Sequence, residues 1–128
     1  MNKATELLKA AGTFYIATVE GDQPRLRPFG AVGEINGKTY LSMNNTKKVY
    51  AQLIANPKSE ICAMVGPTWF RIQCDVIRDN TDEARAEMLK QNESLGGMYK
   101  LGDGIFEVFY LDNVKGTVES FSDPKEEF

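Results

Sequence analysis

Residues 36–57, Asn36-Gly37-Lys38-Thr39-Tyr40-Leu41-Ser42-Met43-Asn44-Asn45-Thr46-Lys47-Lys48-Val49-Tyr50-Ala51-Gln52-Leu53-Ile54-Ala55-Asn56-Pro57, hold a turn, a strand, a connection and a helix in immediate succession. Asn-Gly is the strongest short hairpin signal, since both residues accept the positive φ of a type I′ turn. Lys38 to Met43 alternates as the strand returning from it. From Thr46 to Asn56 the apolar positions Val49, Leu53 and Ile54, with Tyr50 beside them, switch to helical spacing. Pro57 ends that helix, because proline disfavours the α conformation in the residue before it. Thr46 is the expected N-cap, with Lys47 and Lys48 in the first turn. Cations at the positive end of a helix dipole cost about 0.3–1 kcal/mol each. Their placement makes sense if an anion such as a phosphate docks on the free amides. The alternative is that both lysines point into solvent, where screening removes most of that cost.

Outward from this segment, strands dominate. Residues 2–11 place Leu7, Leu8 and Ala11 on one helical face, and Gly12 follows as a stop. Thr13 to Val19 is β-branched and aromatic, and Glu20-Gly21-Asp22 supplies a turn. Pro24 to Ile35 reads as one strand leading to the hairpin. In it Arg25 and Arg27 share a side of the sheet. One of them meets the same phosphate, or the arginines and prolines mark an edge strand that resists aggregation. Glu60–Val65 and Trp69–Arg78 form two more strands around Gly66-Pro67. Trp69 and Arg71 fall on one face of the second, as the lining of a planar ligand or as core packing with a surface charge. Asn80 and Glu83 announce a helix over 81–93 with Met88 and Leu89 inward, and strands at about 105–111 and 114–121 precede an acidic, frayed end. Some seven strands with two or three helices define a mostly β fold, a small antiparallel barrel with flanking helices.

Composition narrows the function. The 128 residues suit one domain over 1–128, and 26% charged with 42% apolar residues is ordinary globular composition. A net charge of -3 gives no electrostatic footprint for nucleic acid. Met1 to Gly12 lacks the apolar stretch of a signal peptide, and no run is long enough for a membrane helix, so the expected location is the cytoplasm. Cys62 and Cys74 lie in strand-like apolar surroundings and read as buried free thiols. The chain has no histidine, which removes the commonest general base and metal ligand together. An enzyme of this composition needs a cofactor for its chemistry, and no metal site is expected. Apolar residues on both faces of several strands exceed what one barrel covers, so a homodimer is expected.

Three motifs in register, FYIATVEGDQPRLRPFG, NGKTYLSMNNTKKVYAQLIANP and TWFRIQ, resemble the pyridoxamine 5'-phosphate oxidase family over about residues 12–78. The resemblance implies an FMN-binding split barrel, homodimeric, with two FMN sites between subunits. It assigns Arg27 to the FMN phosphate, with Thr46, Lys47 and Lys48. It sets Pro28, Phe29, Leu41 and Ser42 beside the isoalloxazine ring, and Trp69 and Arg71 facing the flavin across the dimer. Cys74 stands where the family often has glycine. True pyridoxamine 5'-phosphate oxidases carry a C-terminal substrate stretch with Arg and His, whereas this chain ends SFSDPKEEF. The better match is the short general-stress and nitroimidazole-resistance branch. The implied activity is a flavin-dependent oxidoreductase passing electrons from NAD(P)H or another donor to a small-molecule substrate. The alternatives are a non-catalytic flavin-binding or stress-response protein, and a barrel that has lost its flavin.

Overall fold

The computed structural model describes residues 1–128. Its elements run α1 (Lys3–Ala11), β1 (Phe14–Glu20), β2 (Gln23–Phe29), β3 (Val32–Ile35), β4 (Lys38–Asn44), α2 (Lys48–Ala55), β5 (Lys58–Val65), β6 (Thr68–Asp79), α3 (Asp82–Gln91), a 3-10 turn (Glu93–Gly97), β7 (Phe106–Glu119) and β8 (Glu126–Glu127). All strands join one antiparallel sheet in the order β2-β1-β5-β6-β7-β4-β3, with β8 on β7. Strands β2 and β3 stand at opposite ends of that order, yet only Gly30 and Ala31 separate them in the chain. Three residue steps span no more than about 11 Å. The sheet must therefore curl until its two ends nearly meet without hydrogen bonding to each other, which is a split barrel.

Alternation along the strands fills the barrel. In β1, Phe14, Ile16 and Thr18 are buried and Tyr15 is exposed. Phe14 and Ile16, with Ile61, Phe70, Ile72 and Phe109, form the centre of a core that α1 closes with Leu8 and α2 with Leu53. Each such large apolar side chain contributes roughly 1.5–3 kcal/mol on burial. A second core of Tyr40, Ala84, Met88, Leu95, Phe106 and Val108 lies under α3. Helix α3 seats directly on β3 at Gly33, where a Cβ would stand 2.5 Å from Met88 Sδ and 2.6 Å from Gln91 Oε1.

The outer face of β2, β1, β5 and β6 carries an exposed apolar patch, beside which Glu60, Arg71 and Gln73 make the same face polar. Leu26 is 68% exposed, Met64 58%, Tyr15 46% and Phe121 97%. Register joins them, with Leu26 opposite Ala17, Tyr15 opposite Cys62 and Met64 opposite Trp69. Phe121 lies against Trp69, ring centroids 4.9 Å apart.

Several expectations from sequence are corrected. The single strand at 24–35 is two strands, because the chain changes partner from β1 to β4 at Gly30-Ala31. The two strands at 105–111 and 114–121 are one. Asn113, at φ 50°, is absorbed where the pairing with β6 shifts register between Gln73 and Asp75. The C-terminal end is paired, since Phe128 and Gly116 exchange backbone hydrogen bonds and the glycine leaves room for the Phe128 ring. Thr46 does not cap α2. Its amide and hydroxyl both donate to Asn44 Oδ1, a local turn that outcompetes the cap, and Lys47 becomes the cap residue without a side-chain bond. Helix α3 is capped by Thr81, not Asn80, and ends at Gln91. Both cysteines are free, but only Cys74 is buried, with burial pushing its thiol up to about 12, while Cys62 sits half-buried on the outer face.

Candidate functional site

Beside the split between β2 and β3, where β2 and β4 end, lies a cavity of about 700 Å³, a size typical of small-molecule sites. One wall is strand and helix ends: Arg27, Pro28, Phe29 and Gly30 close β2, Ser42, Met43 and Asn44 close β4, and Lys47, Lys48 and Val49 open α2. The facing wall is Asn92, Ser94, Leu95, Met98 and Tyr99, following α3.

The first wall is electropositive. Three cations, Arg27, Lys47 and Lys48, are among its lining residues, and no Asp or Glu lines any part of the cavity. None of the three forms an ion pair. The amides of Lys48 and Val49, at the free end of α2, donate to nothing in the chain. Such open amides at a positive dipole end favour an anion.

Arg27 is held from behind. Its Nη1 donates to Ile16 O at 3.1 Å and to Thr18 Oγ1 at 2.8 Å, and Nη2 donates to Gln52 Oε1. The Thr18 hydroxyl donates in turn to Gln52 Oε1 at 2.6 Å, closing a triangle of buried partners. Nε–H and one Nη2 hydrogen remain, the side-on pair that suits bidentate contact with a phosphate. Burial first, then the neighbouring Arg25 charge, pull the Arg27 pKa below the usual arginine value. The guanidinium nevertheless stays protonated. Arg25 points to Glu20, at 2.8 Å, rather than to the cavity.

The facing wall is uncharged, apolar at Leu95 and Met98, and lightly held. Leu95 is anchored in the second core, and Tyr99 packs on Phe106 with centroids 5.0 Å apart. Met98 is 66% exposed, and the backbone bonds are those of a single 3-10 turn, with the amides of Met98 and Tyr99 both donating to Leu95 O.

Of the residues singled out from sequence, Arg27, Pro28, Phe29, Ser42, Lys47 and Lys48 come together in this cavity. Leu41 does not line it, since strand alternation turns its side chain into the core. Thr46 is exposed beside it, committed to Asn44. Trp69 and Arg71 lie on the outer face, Arg71 paired with Glu119 at 2.8 Å. Asn44, Gly30, Thr18 and Gln52 were missed, although Asn44 lies inside the quoted strand-to-helix segment. The wall at 92–99 carries no local signal beyond Gly96-Gly97.

A split barrel with three unpaired cations lining one cavity at its seam defines the class of protein. The family model described as pyridoxamine 5'-phosphate oxidase matches residues 1–111. A NimC/NimA family protein from Clostridium acetobutylicum is 47% identical, covering 98% of this chain and 89% of that one, with a TM-score of 0.96. A protein from the same organism related to general stress protein 26 aligns at 12% identity over 98% and 91%, TM-score 0.77. A pyridoxamine 5'-phosphate oxidase-related, FMN-binding protein from Nostoc punctiforme aligns at 14% over 97% and 85%, TM-score 0.66. No match is found among curated proteins. The chain belongs to the pyridoxamine 5'-phosphate oxidase family. No helix is long and apolar enough to cross a membrane.

Proposed function

We propose that the protein binds FMN at the seam and acts as a flavin-dependent oxidoreductase, taking electrons from NAD(P)H or another donor and giving them to a small organic acceptor. The observation that carries this reading is the set of three unpaired cations and two open amides on one wall of a cavity without a carboxylate. Arg27, Lys47 and Lys48 would hold the phosphate, and Pro28, Phe29 and Ser42 would border the ring. When bound, the flavin supplies the hydride chemistry. The chain's residues bind and orient it and shield it from water. No carboxylate lines the cavity and the chain has no histidine, so protons for the acceptor would come from solvent or from the Tyr99 phenol.

The working form is a homodimer. Pro28 borders the cavity and pairs with Tyr15 of the apolar outer face, so a second copy covering that face would also close the seam. In such a dimer Trp69 and Arg71 of one copy reach toward the cavity of the other. Cytoplasmic location accords with the composition. The test is the visible spectrum of purified protein given FMN and then freed of excess, followed by NADH or NADPH. Retained bands near roughly 370 and 450 nm that bleach with donor faster than free flavin, and recover with an acceptor, support the reading. Retained flavin that no donor reduces supports a non-catalytic flavin-binding protein, and no retained flavin rejects both.

A further inference from the structure

Among the buried residues only Glu107 carries a formal charge, and it lies outside the cavity. Three segments of the chain converge on its carboxylate. Arg78 of β6 donates through Nε at 3.1 Å and Nη2 at 3.3 Å, Arg85 of α3 through Nη2 at 2.9 Å, and Asn45, between β4 and α2, through Nδ2 at 3.0 Å. Burial pushes its pKa up, but the bonds from Arg78, Asn45 and Arg85 outweigh burial and hold it below the ordinary glutamate value. Stability alone is a poor reason for such a cluster, because well-packed apolar residues replace buried ion pairs without loss.

Its position in the fold supplies a better one. Asn45 also donates to Gly104 O, its amide donates to Ile105 O, and two residues later the chain reaches Lys47 and Lys48. Arg85 also donates to Phe106 O, and its helix runs on into Asn92–Tyr99. One carboxylate thus grips the chain just before the cationic wall and the helix just before the apolar wall. We infer that Glu107 is a positioning residue that sets the gap between the two walls, holding the Lys47-Lys48 side through Asn45 and the 92–99 side through Arg85. The inference rests on the flavin reading for its meaning, though its geometry does not.

The charge sign separates positioning from bulk electrostatics. Glu107→Gln makes the region more positive by one, which by Coulomb attraction alone tightens an anion. Positioning demands the opposite, FMN affinity lower on the order of ten-fold, since a small misplacement is costly at a site. The experiment compares wild type, Glu107→Gln, Asn45→Ala and Arg85→Met by amide hydrogen exchange and by FMN titration. The expected pattern is faster exchange in both 44–49 and 92–99 for Glu107→Gln, in 44–49 alone for Asn45→Ala, and in 92–99 alone for Arg85→Met. Glu107→Gln binding FMN as tightly as wild type or tighter, a change confined to one wall, or a rise spread evenly over the sheet and α1 overturns the inference. If wild type retains no FMN the flavin reading fails separately, and the exchange pattern still decides whether Glu107 spans the walls.

Discussion

The two walls of the cavity are built in opposite ways. The cationic wall stands on the ends of β2 and β4 and the start of α2, with Arg27 locked by Thr18, Gln52 and Ile16. The apolar wall is one 3-10 turn with Met98 largely in solvent. A rigid anchor loses little entropy on binding, whereas a lightly held wall adapts to what it faces. On the proposed flavin reading, retention of the cofactor would belong to the first wall and choice of acceptor to the second.

The sharpest way to break this division is to strip the anchor. Arg27→Ala with Lys48→Ala should weaken FMN binding by roughly 10²-fold or more, since each charge-assisted bond is worth about 1.5–3 kcal/mol. Fluorescence titration measures it, and a loss under five-fold would mean the phosphate sits elsewhere. Next in size, if the proposed dimer forms through the outer face, Leu26→Lys with Met64→Glu should leave only monomer in sedimentation velocity and lower flavin retention with it. A monomer that keeps its flavin undiminished would separate the seam from the interface.

Acid gives a smaller effect. Because Glu107 is held below the ordinary 4.5 of a glutamate, its contribution is complete above that value and is lost as pH falls through the lower folded-state value. Wild type should lose more stability than Glu107→Gln between about pH 5 and about pH 3, read as the shift in Tm. The groups that face Glu107 are Arg78 from β6 and Arg85 from α3. Smallest is Met98→Ala, expected to change FMN affinity less than about three-fold while moving KM for the acceptor with kcat nearly fixed, the pattern of lost uniform binding.

What the sequence made legible was local. Asn36-Gly37, the alternation after it and the helical spacing to Pro57 define their elements within a few residues of each other, and they place Ser42, Lys47 and Lys48 at the cavity. Arg27, Pro28 and Phe29 came from the motif register. Illegible features depend on distant partners. Nothing near Gly30-Ala31 announces that the chain leaves β1 for β4, and Asp112-Asn113 has turn chemistry but is taken up as a bulge in the pairing with β6. The pairing of Phe128 rests on a gap at Gly116, twelve residues away. Thr46 failed as a cap because Asn44 reached it first. The facing wall is positioned by α3, whose weakly patterned sequence says where it buries Met88 but not where it delivers residues 92–99.

That delivery depends on Gly33. A methyl there would meet Met88 and Gln91, and Gln91 is not free to swing aside, since it accepts from Glu34 N and donates to Glu34 O at 2.9 Å each. Gly33→Ala therefore costs roughly 1–3 kcal/mol as overpacking and tilts α3 off its seat. In a saturation library sorted for flavin retention, Gly33 will score with the ligand-lining residues although it touches no part of the cavity, and a diversified library aimed at new acceptors should leave it fixed while randomising Met98 and Tyr99.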